Sequence, residues 1–198
     1  MKAYYDARAR EYDDWYLGQG LYADRERPGW EQELAGLVEA VHGLPPRRTL
    51  DVACGTGFLT QHLRGEIVGL DASERMLEIA SERVPQGEFV AGDALELPFE
   101  DASFDRLFTG HFYGHLEEEE RQRFLAEARR VAGELVVVDS SVQHSPVDEE
   151  YQPRVLTDGS RWEVYKRFFT GAGLAEELGG GDTVFEGHWF VVVRSHAA

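Results

Sequence analysis

Thr49-Leu50-Asp51-Val52-Ala53-Cys54-Gly55-Thr56-Gly57 is the stretch whose reading decides the fold. Its first five residues read as a short buried strand running directly into glycines. Residues 57–64 then read as a helix. A glycine-rich turn between strand and helix lets a ligand approach the backbone, and the helix start offers it free N–H groups. Two familiar ligand loops fit poorly. A dinucleotide fingerprint counted from Gly55 asks for glycine or alanine at position 60, where Thr60 stands. A phosphate-cradling loop asks for Gly-Lys-Ser/Thr, which this stretch lacks.

Working outward, Ile67 to Leu70 is a second strand and Ser73 to Arg83 a helix, with Ser73 as N-cap and Glu74 in its first turn. Pro85 and Gly87 stop that helix. Glu88 to Ala91, Phe104 to Thr109 and Glu134 to Asp139 are further strands, with a helix over 117–131. Alternating strand and helix argues a parallel sheet covered on both faces, with every strand C-terminus on one ligand-binding edge. Upstream, residues 3–16 suit an aromatic N-terminal helix, residues 18–29 a loop, and Trp30 to Val41 a helix ended by Leu44-Pro45-Pro46. Downstream, 142–160 reads as an irregular excursion and 161–178 as helical. Thr183 to Glu186 and Trp189 to Val193 read as a hairpin turning at Gly187-His188.

Three acids sit at successive strand ends. Asp51 lies beside the glycines, Asp71 closes Val68-Gly69-Leu70, and Asp93 follows the third strand. Asp71 can accept both hydroxyls of a ribose, and Asp93 can accept from an adenine amino group. A cationic, unphosphorylated nucleoside suits three acids better than a pyrophosphate does.

Composition sets the outer bounds. The chain has 198 residues, 20 Lys+Arg against 37 Asp+Glu, a net charge of −17 and one cysteine. So acidic a surface disfavours nucleic acid, and one cysteine excludes a disulfide framework or a cysteine-rich zinc site. No apolar run reaches the roughly 20 residues of a membrane span, and Met1 to Asp6 holds no signal core. The expectation is a cytoplasmic protein, with neither membrane nor nucleic acid as partner. Oligomeric state is not legible.

Four ordered motifs carry a family resemblance: Leu-Asp-Val-Ala-Cys-Gly-Thr-Gly at 50–57, Val-Gly-Leu-Asp-Ala-Ser-Glu-Arg-Met-Leu at 68–77, Gly-Asp-Ala-Leu-Glu-Leu-Pro-Phe at 92–99, and Ser-Phe-Asp at 103–105. Over about 49–139 the chain resembles the class I S-adenosylmethionine-dependent methyltransferases, in particular the small-molecule branch of ubiquinone and menaquinone biosynthesis. It departs from them at Ala53, where glycine is usual. The resemblance implies a Rossmann-like α/β three-layer sandwich, its seven-stranded, mostly parallel sheet having an antiparallel last strand. It implies one methyltransferase domain over 1–198. This divides into an N-terminal helical cap at 1–45, a cofactor-binding core at 48–140, a substrate lid at 142–166, and a C-terminal helix and hairpin at 167–198.

The implied cofactor is S-adenosylmethionine. Asp51, Ala53, Gly55 and Gly57 would hold its methionine portion, with Thr109 and Gly110 lining that end. Asp71 and Ala72 would meet the ribose, Met76 the adenine, and Asp93 with the Ala94 N–H the adenine amine. Tyr12 or Tyr16 would close over it.

Methyl transfer from a sulfonium is mainly a problem of alignment and water exclusion. His111 and His115 follow the fourth strand and are the candidate general bases. No third ligand accompanies them, so no metal site is expected. In the lid, His144, Tyr151, Arg154 and Trp162 are candidate contacts to a small-molecule methyl acceptor. Two other readings remain: a nucleotide-binding oxidoreductase, and a non-catalytic cofactor-binding protein.

Overall fold

The computed structural model describes residues 2–196. Strands β1 (Thr49–Val52), β2 (Ile67–Asp71), β3 (Glu88–Ala91), β4 (Arg106–Gly110) and β5 (Glu134–Ser140) run parallel. After the two-stranded pair β6 (Glu149–Val155) and β7 (Arg161–Arg167), the chain returns as β8 (Asp182–Glu186) and β9 (Phe190–His196). Strand β9 pairs antiparallel with β5, and β8 antiparallel with β9. The sheet order is β3-β2-β1-β4-β5-β9-β8. The order reverses between β1 and β4, where an open α/β sheet leaves a crevice at its C-terminal edge.

Strand alternation builds two cores. Val136, Val138 and Phe108 face α3 (Trp30–Gly43), whose Trp30, Leu37 and Val41 are buried against them. Leu135, Val137 and Leu107 face the opposite layer of α5 (Glu118–Val131) and α6 (Gly171–Glu177). On α5 the buried residues Arg121, Phe124, Leu125, Ala128 and Val131 share one face. Its start is closed by a reciprocal capping box of Glu117 and Glu120. Each fully buried Val, Leu or Phe contributes about 1.5–3 kcal/mol. Helix α4 (Glu74–Arg83) starts as expected, with the Ser73 side chain accepting from the Met76 N–H.

Three expectations are corrected. Residues 57–64 form turns and one 3-10 turn at Thr60–His62 rather than a helix. Gly57 and Gly65 both take positive φ and bracket a segment too short for a stable helix. Residues 3–16 form two short helices, α1 (Lys2–Arg8) and α2 (Asp14–Leu17), joined by a 3-10 turn. The excursion and the start of the expected helix over 161–178 are the antiparallel pair β6–β7, and only α6 is helical. In β7 the inward positions Val164 and Lys166 are buried while Arg161 and Glu163 are exposed, a period of two. Pro153 is tolerated because both strands of a two-stranded sheet are edges.

This hairpin meets the N-terminal segment. Tyr4, Leu156 and Val164 form their own small cluster. The Tyr4 and Trp162 rings lie 5.7 Å apart, and the Thr157 N–H donates to Glu11 Oε2 at 3.0 Å. The two segments therefore close together over the edge where β1–β5 end.

Candidate active site

The turn after β1 is held by the acid after β2. Gly55 N donates to Asp71 Oδ2 and Ser73 N to Asp71 Oδ1, both at 2.9 Å. One carboxylate thus ties the glycine turn to the start of α4. Burial pushes the Asp71 pKa up, and the amide hydrogen bonds oppose that push. Gly57 has a packing role: a Cβ there would lie 3.3 Å from the Ala80 Cα and Cβ of α4. Ala53 takes φ +57°, a left-handed conformation that an L side chain resists. Ala53→Gly is therefore expected to raise stability by about 0.5–1 kcal/mol in urea unfolding, the relieved strain exceeding the added chain entropy.

A cavity of about 300 Å³ opens above these strand ends. Ala53, Gly55, Asp71, Ala72, Asp93, Ala94 and Gly110 line it, and Tyr5 and Tyr12 cover it. Asp93 is exposed and accepts from Leu95 N at 2.9 Å. Of the other residues expected to bind cofactor, Gly57, Met76 and Thr109 do not line this cavity. Met76 is fully buried in the core, and Thr109 Oγ1 donates to Val52 O at 2.8 Å.

Asp51 and Tyr16 border an adjoining void of about 10 Å³, room for one water-sized group. Asp51 is 2% exposed and its Oδ2 accepts from Thr60 Oγ1 at 2.6 Å, while its Oδ1 has no partner. Burial pushes its pKa up to about 7, with the Thr60 bond opposing. Tyr16 stacks on Phe58 at 3.9 Å between centroids and caps the void.

A second cavity, of about 310 Å³, lies beyond the ends of β4 and β5 under the clasped N-terminus and hairpin. It shares His111, His115, Tyr5 and Tyr12 with the first. His111 takes φ +55°, is 8% exposed, and neither ring nitrogen has a partner. Trp15, Tyr16 and Phe190 hold its ring at centroid distances of 4.9, 5.7 and 5.7 Å. His115 Nδ1 lies 2.6 Å from Tyr165 O, so it carries the proton and leaves Nε2 as acceptor. Burial lowers both imidazole pKa values to about 3, Asp139 opposing in each case. Both rings are neutral at pH 7.

His144 and Arg154 line this second cavity, with Trp15, Trp30, Phe168 and Trp189 as aromatic wall. Tyr151 and Trp162 line neither cavity: Tyr151 is 57% exposed and bonds Glu117, while Trp162 Nε1 donates to Ser160 Oγ at 3.0 Å. The sequence reading missed Arg8, Lys166, Tyr5 and Phe112. Lys166 reaches in from β7 and pairs with Asp139 at 2.5 Å, both buried. Gly114 N and Ser140 N also donate to Asp139, each at 2.7 Å. Burial favours a neutral Asp139, but the Lys166 ammonium outweighs it and holds its pKa below the ordinary value.

Comparison with known proteins agrees with this geometry. The methyltransferase-domain family pattern matches residues 50–136. The chain is 41% identical over 111 residues to a demethylmenaquinone methyltransferase of Thermotoga maritima, a match covering 52% of this chain and 48% of that protein. An uncharacterized methyltransferase of Alkaliphilus oremlandii is 26% identical over 167 residues, covering 81% and 75%. Among solved structures, the DhpI–SAH complex superposes with a TM-score of 0.73 at 26% identity, over 97% of this chain and 92% of that one. The chain spans about half the length of the curated demethylmenaquinone methyltransferases it matches. Sheet order, strand-end acids and glycine turn are similar to those of the methyltransferase-domain family over residues 50–136 and to the fold of the DhpI–SAH complex. In sequence the matched half of the chain is similar to demethylmenaquinone methyltransferases. No described helix is long and apolar enough to cross a membrane.

Proposed function

We propose that the chain transfers a methyl group from S-adenosylmethionine to a small-molecule acceptor. The observation that carries this reading is the pair of cavities meeting at His111 and His115, one bordered by acids at the strand ends and one walled by aromatic rings. The residues present fit the cofactor. The unpartnered Asp51 Oδ1 calls for a water-sized cation, which an α-ammonium group provides. Asp71, Asp93 and Ala94 line one cavity, where Asp71 would take the ribose hydroxyls and Asp93 with the Ala94 N–H the adenine amine. Gly57, Met76 and Thr109 support the turn and strand from beneath.

Bound S-adenosylmethionine supplies a methyl group on a sulfonium, already a good leaving group. The chain's own work is then alignment and exclusion of water. Tyr5 and Tyr12 cover the cofactor cavity, and the hairpin closes the acceptor side. His111 and His115 are weak bases at neutral pH, because a useful base has a pKa near the working pH. We assign them to orienting the acceptor as neutral hydrogen-bonding groups. Calorimetric titration tests the reading. S-adenosylmethionine and S-adenosylhomocysteine are expected to bind in the micromolar range, with no heat from NAD. Binding of NAD alone would restore the oxidoreductase reading, and no binding of either sulfur ligand would remove this one.

A further inference from the structure

The chain-wide charge of −17 hides a local reversal. Arg8, Arg27, Arg154 and Lys166 line the second cavity, with Arg25 at its rim, against a single acid, Glu26. Elsewhere the buried arginines are neutralised: Arg106 pairs with Glu134 and Arg121 with Glu177. In the cavity only Lys166 is paired. Among the described residues, no carboxylate lies within 4.0 Å of a nitrogen of Arg8, Arg25, Arg27 or Arg154. Their partners are neutral. Arg8 donates to Tyr4 Oη at 3.1 Å, Arg27 donates to Trp15 O at 2.6 Å, and Arg154 donates to the Gln152 amide oxygen. The Arg154 Nε is buried with no partner at all. His111, more than nine-tenths buried with two unpartnered nitrogens, faces the same space.

Arg8, Arg27 and Arg154 are half-buried and Arg25 is exposed, and clustering partly desolvated cations without counter-charge is unfavourable unless a ligand supplies the charge. We propose that this cavity takes an acceptor with a flat apolar body and an oxyanion, carboxylate or phosphonate, held by Arg8 and Arg154. The tryptophans and Phe168 receive the flat body, and the guanidinium groups present planar donor forks to the oxyanion. The acidic exterior then repels polyanions while the pocket selects a single small anion. The assignment as acceptor rests on the methyl-transfer reading; the anion site itself does not.

The test is calorimetric titration of the full chain with benzoate, phenylphosphonate and neutral benzamide, with and without saturating S-adenosylhomocysteine. Each anion is expected to bind at least about tenfold more tightly than benzamide, and to weaken several-fold when salt rises from about 50 to about 500 mM. Arg8→Gln and Arg154→Gln should each weaken anion binding about tenfold and leave benzamide unchanged, while Arg154→Lys should recover part of the loss. Unchanged S-adenosylhomocysteine affinity in these variants would show that they remain folded. Whichever anion binds more tightly names the head group. Benzamide binding as well as the anions, or glutamine variants keeping full anion affinity, would overturn the inference and leave the methyl-transfer reading intact. Anion selectivity without any S-adenosylhomocysteine binding would do the reverse.

Discussion

Lys166→Met is expected to destabilise the fold by about 3–5 kcal/mol at pH 7, because it leaves a buried carboxylate without its counter-charge. Asp139 is 0% exposed and Lys166 only 4% exposed, so water cannot compensate. The amide donors from Gly114 and Ser140 remain, but neither carries charge. The pH dependence separates charge from packing. Asp139 has a folded pKa below its ordinary value, so its contribution is present above about pH 4 and is lost as pH falls through the folded value. In the variant the isolated carboxylate is penalised as soon as it ionises. The stability difference between parent and variant should therefore be large at pH 7 and shrink towards pH 3, measured by urea unfolding across that range. Adding Asp139→Asn to Lys166→Met should recover most of the loss, since removing both charges removes the unpaired one. A pH-independent difference, or no recovery in the double variant, would mean that the lysine stem is acting by packing alone.

The pair also marks where sequence reading stops. The core strands and the Ser73 cap were legible because each is a local pattern: an apolar run, a cap residue, an acid at a strand end. The acids Asp51, Asp71 and Asp93 follow from those strands, since strand order brings their C-termini to one edge. Lys166 is separated from Asp139 by 27 positions and enters on a strand that was read as helix. The period of two in Arg161 to Arg167 was obscured because one inward position is a lysine rather than an apolar residue. The Asp158-Gly159 turn, with Gly159 at φ +83°, was the available signal. The helix expected over 57–64 is absent because the segment between the positive-φ Gly57 and Gly65 is too short, and Gly57 in addition packs closely on α4. Net charge does not report on the cavity. It describes the whole surface, whereas Arg8, Arg27 and Arg154 come from three separate segments and meet only in the folded chain.

Asp51→Asn is expected to move stability and cofactor binding in opposite directions. Burial raises the Asp51 pKa to about 7, so the carboxylate favours folding only while it is protonated. Its contribution is fully present below the unfolded value near 4 and is lost as pH rises, the loss being complete just above about 7. Asparagine cannot ionise and can still accept from Thr60. The variant should thus be more stable than the parent at pH 8, by on the order of 2–4 kcal/mol, and the advantage should vanish near pH 4. Binding should respond oppositely. Without an ionised partner for an α-ammonium group, S-adenosylhomocysteine affinity should fall about 10- to 100-fold, the worth of one hydrogen bond to a charged group. In the parent, affinity should increase with pH up to about 7 as Asp51 ionises, and this dependence should be absent from the variant. Urea unfolding and calorimetry at pH 5, 7 and 8 read both effects on the same protein. A variant that is more stable yet binds as tightly as the parent would remove Asp51 from the cofactor site and leave it a strained core carboxylate. A gain in stability with the loss of binding would instead mean that the strain in this strand end is held in reserve for the cation it receives.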